Sequence, residues 1–390
     1  LLKELVEEGR IAESRIDESV KRILKMKKAL GLFNASVPQL ADYPNFASEQ
    51  HRALARKAAE ESLVLVQNDG TLPLAAPARI LVVGEGARSQ NVLNGGWTRT
   101  WQGADTTYNT PDRNTIFEAL QASGYILTYR STEAFLNQAV PPTDLILVVC
   151  SEGTYTEKPG DIEDLRVSDM HAQAIAKAAE ASTPSCLLLV QGRPRVLPPA
   201  VADMNAVLIG MLPGDEGGDA IASVLSGAVN PSGKLAFTYP RYASSHTTYD
   251  HKYTDRIDTD FSQNAFDPLY PFGHGLSYTS FSYSGLKMNR ETYGMTDTLH
   301  FNVSLTNSGS RSGTEVVQVY ISDSVASVTP SVARLRAYAR VSLEAGETKE
   351  LSFMLPLSEL RFIGRDLKPT LEAGDFGLRI ADRQTTFRVQ

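Results

Sequence analysis

Residues 144–165, DLILVVCSEGTYTEKPGDIEDL, join a continuous apolar run to a crowded polar segment. The apolar part, 145–150, is uncharged and has the composition of a strand buried on both faces of a sheet. Similar apolar runs occur at 63–66, 80–83, 186–190 and 206–209, and helical patterns lie between several of them, at 114–122 and 168–181. This alternation predicts an α/β domain over 51–240, a three-layer α/β sandwich with a mostly parallel sheet.

The apolar period changes to two after about residue 281. In TLHFNVSLTN the inward positions are predicted to be Leu299, Phe301, Val303 and Leu305. The segments EVVQVYIS, ELSFMLP, FGLRIA and TFRVQ follow, separated by turn signals such as NSGSRSG and EAG. Several short strands of this kind predict an all-β sandwich over 281–390, of the immunoglobulin-like or fibronectin III-like type.

The remaining segments define the other predicted boundaries. Residues 1–33 place apolar side chains at helical spacing, and the resulting stripe needs another body to cover it. Residues 34–50 are polar and contain proline, so a linker is expected there, whereas 241–280 lack periodicity and predict a long connecting segment. The first residue is Leu1 and no signal peptide is visible, so we expect the chain to be the C-terminal part of a longer protein.

The composition narrows the function classes. The chain has 390 residues, of which 42% are hydrophobic and 21% charged, as in soluble proteins with two or three domains. The formal net charge of -7 argues against a nucleic-acid partner, whose binding surface would be basic. No apolar stretch reaches the ~18 residues that cross a bilayer, so no membrane partner is expected. The six histidines show no metal-site spacing, and no GxSxG hydrolase motif is present.

The two cysteines, Cys150 and Cys186, both fall in predicted buried strands. A count of two excludes a disulfide framework. Two inert core thiols are the favoured interpretation, and a single buried bridge is the other.

The polar segment after 145–150 holds five carboxylates: Glu152, Glu157, Asp161, Glu163 and Asp164. A charged run in a loop is most often a solvated surface. This run, however, follows a parallel strand, and ligand crevices lie at the carboxyl ends of such strands. Crowded carboxylates raise one another's pKa, which suits a general acid, so the segment is a candidate acid/base loop.

A second candidate segment is NGGWTRTWQG, residues 94–103, which contains the only two tryptophans, Trp97 and Trp101. In a glycine-rich loop an indole can stack on a sugar or a base, or it can anchor the loop. The GEG at 84–86 lacks the last glycine of a dinucleotide motif, because Ser89 stands in its place. A tight turn is the favoured interpretation of GEG.

Four ordered motifs carry a family resemblance over nearly the whole chain. GGWTRTWQG, SEGTYTEKPGDIEDL, LPGDEGGDAIASVLSGAVNPSGKLAFTYP and PLYPFGHGLSYTSF resemble the second half of glycoside hydrolase family 3, the β-glucosidases and exo-β-glucanases. The family order is a (β/α)8 barrel, an α/β sandwich and often a fibronectin III-like domain. The resemblance implies that residues 1–33 are the terminal helical remnant of the barrel, and that the rest of the barrel, with the nucleophilic aspartate, is absent from this chain.

The resemblance also implies site residues. The family's acid/base loop, similar to YTExxGD, places the general acid/base at Glu157, with Glu152 as runner-up and more suited to a supporting role. The tryptophan of WQG, Trp101, would form one side of an aromatic clamp on the leaving sugar.

The implied function is that of the C-terminal part of a retaining, exo-acting β-glycosidase, most like a β-glucosidase, that needs no cofactor. Its partners would be a β-linked oligosaccharide or glycoside and an N-terminal barrel domain, on the same or a separate polypeptide. The resemblance favours a periplasmic or secreted location. The alternative function is a non-catalytic carbohydrate-binding or docking module.

Overall fold

The computed structural model describes residues 1–245, 248–252 and 267–390. The chain divides into two compact units, Leu1–Ala53 and Leu54–Gln390. The first unit contains helices α1 (Leu2–Glu7) and α2 (Glu13–Ala29), and α3 (Glu49–Ser62) spans the division. Residues 1–33 are therefore two helices rather than one.

The second unit begins with a six-stranded sheet in the order β1-β6-β5-β4-β2-β3. Its strands are β1 (Val64–Asn68), β2 (Arg79–Val83), β3 (Ile126–Arg130), β4 (Leu145–Ser151), β5 (Ser185–Val190) and β6 (Ala206–Ile209). Strand β1 pairs antiparallel with β6, and the other pairings are parallel. The accompanying helices are α4 (Gln90–Asn94), α5 (Ile116–Ala122), α6 (Thr132–Asn137), α7 (Asp169–Ala179) and α8 (Gly217–Ser226).

Both faces of this sheet are covered. Alternate residues of β4 enter two different cores, with Leu147 on the side of α5 and α8 and Val148 on the side of α6 and α7. A strand that is buried on both sides must be apolar at every position, which explains the uninterrupted run at 145–150. The predicted three-layer α/β sandwich with a mostly parallel sheet is confirmed.

The cysteines lie in this double core. Cys150 and Cys186 are both buried free thiols, so the interpretation as core thiols is confirmed and the buried bridge is wrong. Burial raises the pKa of each thiol to about 12, which leaves both in the unreactive protonated form.

The C-terminal part is the predicted all-β sandwich. One sheet has the order β11-β10-β15-β16-β8, another has the order β12-β9-β7, and β13 pairs with β14. Leu299, Phe301, Val303 and Leu305 are all buried, as their alternation predicts. The strands are β7 (Phe281–Met288), β8 (Thr292–Tyr293), β9 (Thr298–Asn307), β10 (Gly313–Asp323), β11 (Arg334–Leu343), β12 (Thr348–Pro356), β13 (Phe362–Ile363), β14 (Pro369–Thr370), β15 (Gly374–Ile380) and β16 (Arg383–Val389).

The predicted connecting segment, 241–280, includes 246–247 and 253–266, which lie outside the described residues. Its described end packs on the α/β sheet, where the Tyr239 amide donates to the Tyr270 carbonyl at 2.8 Å. The side chain of Lys234 pairs with Glu315 of β10 at 3.2 Å, and both groups are largely buried. A buried ion pair fixes the α/β part against the β-sandwich, because separating its members would leave a charge unpaired.

Candidate active site

The acidic loop starts where β4 ends, at the carboxyl edge of the parallel sheet. The segments that follow β5 and β6 begin at the same edge, since those strands run parallel to β4. This common edge brings together segments far apart in sequence, as expected for a doubly covered parallel sheet.

Glu157 is exposed and lies at the tip of the acidic loop. Its backbone has φ +53° and ψ -149°, a conformation that residues with a side chain rarely adopt. A short 3-10 turn, Lys158–Gly160, follows at once, and the Gly160 amide donates to the Glu157 carbonyl at 2.8 Å. Such backbone strain costs roughly 1–3 kcal/mol and concentrates at functional sites.

Glu152, at the base of the loop, has a different environment. Its side chain is only 10% exposed, and its Oε1 accepts from Arg193 Nε at 2.9 Å and from Arg195 Nη1 at 2.7 Å. Arg195 also donates to the carbonyls of Leu165 and Arg166, further along the same loop. The two ion pairs therefore turn Glu152 inward and fasten the loop to the end of β5.

Tyr155 lies between these two glutamates in the sequence, and its ring packs against Arg193. The Arg193 guanidinium lies 3.9 Å from the centre of the Tyr155 ring, a cation–π contact. Burial, and after it the Glu152 carboxylate, raise the pKa of Tyr155. The phenol is therefore a neutral packing group that holds the loop in place.

Asp164 contradicts the expectation that crowding raises the pKa of these carboxyls. Its Oδ2 accepts from Arg166 Nη2 at 2.7 Å, and the hydrogen bonds from Arg166 lower the pKa of Asp164 to about 2. At pH 5 only about one molecule in a thousand would carry the proton. Asp164 is thus unsuited to be a proton donor, because the adjacent Arg166 guanidinium stabilises its ionised form.

The tryptophan loop begins at the end of helix α4. Trp101 is 51% exposed and Trp97 is 67% exposed. Backbone and polar groups hold the loop instead: the Trp97 amide donates to the carbonyl of Trp101 at 3.0 Å, and Asn91 Nδ2 donates to the carbonyl of Gly103 at 2.6 Å. The exposed indoles argue against the interpretation that they anchor the loop.

An ion pair that the sequence reasoning missed also holds this loop. Arg99 Nη2 pairs with Asp215 Oδ1, and Arg99 Nη1 donates to the Tyr108 carbonyl at 2.7 Å. Asn94 Nδ2 donates to the same Asp215 oxygen at 2.8 Å. Asp215 belongs to the segment after β6, so this pair connects two of the loops at the sheet edge. Nothing in the sequence around Arg99 or Asp215 predicts that the two side chains form a pair.

The two candidate loops are joined by reciprocal hydrogen bonds, here named the Gln102–Thr156 pair. Gln102 Nε2 donates to the Thr156 carbonyl at 3.2 Å, and the Thr156 amide donates to Gln102 Oε1 at 3.1 Å. A Cβ atom on Gly96 would lie 2.5 Å from the Tyr155 carbonyl oxygen, so only glycine allows this approach. Trp101 and Glu157 are each one residue away from the Gln102–Thr156 pair.

The GEG segment serves the fold. A Cβ atom on Gly84 (φ +109°) would lie 2.4 Å from the Val149 carbonyl oxygen. Glu85 accepts from the amide and hydroxyl of Thr132, at 3.1 and 2.8 Å, and so satisfies the start of α6. This is the predicted tight turn, with a capping carboxylate.

The residues that the structure describes lack two features. They include no group of three or more His, Cys, Asp and Glu side chains placed to hold a metal ion. Among the same residues, no helix combines the length and apolar composition that a membrane crossing requires.

Residues 63–278 match the sequence profile described as the C-terminal domain of glycosyl hydrolase family 3, and residues 315–384 match that of a fibronectin type III-like domain. A lysosomal beta glucosidase of Dictyostelium discoideum is 36% identical over 100% of this chain and 51% of its own length. A periplasmic beta-glucosidase of Salmonella typhimurium is 30% identical over 96% of this chain and 55% of its own length. The chain thus spans about half the length of these relatives.

A solved structure agrees with the sequence matches. A mutant beta-glucosidase from Listeria innocua, in complex with laminaribiose, superposes with a TM-score of 0.81 at 28% identity. The match covers 100% of this chain and 57% of that protein.

Proposed function

This chain belongs to glycosyl hydrolase family 3, and we propose that it forms the C-terminal part of a retaining, exo-acting β-glycosidase that removes terminal β-linked glucosyl residues. Glu157 is its general acid/base. The nucleophilic aspartate belongs to an N-terminal barrel domain outside this chain.

The Gln102–Thr156 pair is the observation that carries this proposal. It joins an exposed carboxyl, Glu157, to an exposed indole, Trp101, on two loops at a sheet edge. A proton donor next to an apolar stacking surface suits the cleavage of a bond between two sugars. Two of the other carboxyls are less suitable, because Glu152 is held by two arginines and Asp164 is kept ionised by Arg166.

The proposed reaction uses two carboxyl groups, that of Glu157 in this chain and that of the aspartate in the barrel domain. Glu157 protonates the glycosidic oxygen while the aspartate attacks the anomeric carbon, which breaks the glycosidic bond and forms a covalent glycosyl–enzyme. The leaving sugar departs as an alcohol, and Glu157 is then a carboxylate. It removes a proton from water, which displaces the aspartate and returns both groups to their starting forms. Proton transfer and nucleophilic attack suffice, so no cofactor enters this scheme.

Trp101 would hold the leaving sugar. A half-exposed indole presents an apolar face on which the C–H face of a pyranose can stack. In this proposal, Trp101 lies on the leaving-group side of the bond that Glu157 protonates. A family relative was solved with laminaribiose, a disaccharide, so a substrate of at least two sugar units fits this proposal.

A non-catalytic carbohydrate-binding module is the second candidate, and the two exposed indoles favour it. Stacking surfaces alone would suffice for such a module. It would have no use for an exposed glutamate in a strained conformation, which is why we prefer the enzymatic role.

A periplasmic or secreted location is part of the proposal. The Salmonella relative is described as periplasmic and the Dictyostelium relative as lysosomal, and both compartments lie outside the cytosol.

The test is Glu157→Ala in the complete protein that contains this chain. Hydrolysis of a disaccharide should fall by roughly 10²–10⁴-fold, because its leaving group needs a proton. A dinitrophenyl glucoside, whose leaving group needs none, should keep much of its glycosylation rate. Deglycosylation would lack its base, so added azide should restore turnover and yield the β-glycosyl azide.

Glu163→Ala is the matched control, because Glu163 is an exposed carboxylate of the same loop. It should show neither the leaving-group dependence nor the azide rescue. Azide rescue of a Glu152 or Glu163 variant, with none for Glu157→Ala, would place the acid/base elsewhere.

A further inference from the structure

A cavity of about 380 Å³ opens on the fibronectin III-like part, remote in sequence from the two candidate loops. Its walls come from β10, β11 and the segments around 326–331 and 360–363. Small-molecule sites begin at about 300 Å³, so the cavity is large enough for a single sugar ring.

The charge of this cavity is opposite to that of the chain. Its described lining contains four cationic side chains, Lys252, Arg334, Arg336 and Arg361, but only two acidic ones, Asp250 and Asp323. The chain as a whole carries a formal net charge of -7. A local excess of positive charge in an acidic protein favours an anionic ligand.

Asp250 neutralises only part of this charge. It pairs with Arg334 Nη2 at 2.9 Å and with Lys252 at 3.3 Å, and it accepts from the Ser331 hydroxyl. Arg334 Nε is nevertheless buried without an acceptor. A buried donor that lacks a partner is costly, and an oxygen-bearing ligand would satisfy it.

Two guanidinium groups have no acceptor in the part of the chain that the structure describes. The side chains of Arg336 and Arg361 make no hydrogen bond and no ion pair there. Arg336 is half-buried, and burial first and the Arg334 charge second lower its pKa, against smaller opposite contributions from Tyr249 and Glu359. An unpaired, half-buried cation beside another cation is unfavourable until an anion arrives.

The pairing of β11 with β10 is irregular at Arg336. Val319 pairs with Ala337, but the next residue, Tyr320, pairs with Leu335, so Arg336 is left without a partner on β10. This is a β-bulge, a feature that redirects a side chain and is common next to binding sites. The break in the ladder coincides with the unpaired arginine.

The rest of the lining suits a sugar ring. Phe362 and Pro369 supply apolar surface in the lining, and a pyranose can pack its C–H face on such a surface. Asp323 uses one carboxyl oxygen, Oδ1, to accept from the Val325 amide at 3.1 Å, which leaves Oδ2 for a sugar hydroxyl.

We propose that this cavity binds an anionic saccharide, a sugar residue that bears a carboxylate, with Arg336 and Arg361 on the carboxylate and Asp323 on a hydroxyl. That the ligand is a sugar, and not another carboxylate, rests on the proposed function. That the ligand is an anion rests only on the cavity.

Calorimetric titration of the complete protein with three matched probes tests the proposal. Methyl α-glucuronide should bind, and methyl α-glucoside, which differs only by a hydroxymethyl in place of the carboxylate, should bind at least about tenfold more weakly. The α anomers are used because a β-glycosidase does not hydrolyse them. Cyclohexanecarboxylate has the ring and the charge without the hydroxyls, and it should also bind more weakly. Equal affinity for the glucuronide and the glucoside would overturn the anion, and equal affinity for the glucuronide and cyclohexanecarboxylate would overturn the sugar.

Arg336→Gln identifies the site. The substitution removes a charge that has no partner among the described residues, so the melting temperature should not fall. The affinity for the glucuronide should drop at least about tenfold. Arg336→Lys, which keeps the charge and loses the two-pronged geometry, should be intermediate. Arg383→Gln is the control, because Arg383 is exposed, pairs with the adjacent Asp382 and does not line the cavity.

Unchanged glucuronide affinity in Arg336→Gln would refute the site. Binding is read without turnover, so this result is independent of the result for Glu157→Ala.

Discussion

Removing the side chain of Gln102 tests whether the Gln102–Thr156 pair positions the acid/base loop. Gln102→Ala deletes both hydrogen bonds to the Thr156 backbone. Gln102→Glu keeps an acceptor for the Thr156 amide but turns a carboxylate oxygen towards the Thr156 carbonyl, where the amide nitrogen donated. Gln102→Ala therefore tests the loss of both hydrogen bonds, and Gln102→Glu tests the replacement of one of them by repulsion between two oxygen atoms.

The structure sets the size of the effect. Each of the two bonds, at 3.2 and 3.1 Å, contributes a net of about 0.5–1.5 kcal/mol, so the pair contributes roughly 1–3 kcal/mol. If this free energy holds Glu157 in its reactive position, Gln102→Ala should lower kcat/KM on a disaccharide by roughly 5–150-fold. Gln102→Glu should be at least as impaired, because it adds repulsion between two acceptors.

The assay compares two substrates of the complete protein. In the proposed mechanism, cleavage of a disaccharide depends on protonation by Glu157, whereas cleavage of a dinitrophenyl glucoside does not. The glycosylation step should therefore slow strongly for the disaccharide and little for the dinitrophenyl glucoside. Gln121→Ala is the control, because Gln121 is an exposed glutamine of α5 remote in sequence from both loops. Equal losses on both substrates, or no loss on the disaccharide, would refute the positioning role.

Two further predictions concern the neighbouring side chains. Trp101→Ala should weaken binding of oligosaccharides that reach the leaving-group subsite by roughly 1–3 kcal/mol while affecting aryl glucosides less; Trp97→Ala is its control, and equal losses on both substrates would contradict stacking on the leaving sugar. Glu152→Ala should lower the free energy of unfolding by roughly 3–5 kcal/mol in denaturant titrations, because it leaves Arg193 and Arg195 without their shared carboxylate. A stable Glu152→Ala protein would show that the two ion pairs do not hold the loop.

The sheet was predictable where strands are buried on both faces. The runs at 145–150 and 186–190 are apolar at every position because each face meets a core. Strand β3 escaped prediction because it lies at the edge of the sheet and is partly exposed, so Thr128 and Arg130 interrupt its apolar pattern. Propensity cannot distinguish such a strand from a loop.

The β-sandwich shows the same limit. Strand β9 lies in the middle of its sheet and alternates cleanly, whereas β11 is an edge strand whose inward apolar residues include small ones such as Ala337 and Ala339. The bulge at Arg336 also interrupts its register. A pattern of period two is hard to detect when the alternation is shifted by one residue.

The location of the candidate site followed from the sequence, but its connections did not. A polar loop at the carboxyl end of a parallel strand is a site position by topology alone. Gln102 and Thr156 are separated by 54 residues, and nothing in either segment marks the other as its partner. The ion pairs of Glu152 with Arg193 and Arg195 were equally hidden, since they depend on where β5 ends beside β4.

The carboxyl groups of the acidic loop differ from one another because their surroundings differ. Two arginines draw Glu152 inward, and a third keeps Asp164 ionised, so neither needs to change protonation state. Glu157 is held from both sides, by the hydrogen-bonded Thr156 before it and the turn at Lys158–Gly160 after it. Its backbone strain, roughly 1–3 kcal/mol, is comparable to the contribution of the Gln102–Thr156 pair. Because the two quantities are close, losing the pair should let the loop relax and Glu157 leave its position. For this reason Gln102, acting through Glu157, is expected to change the leaving-group dependence of the reaction.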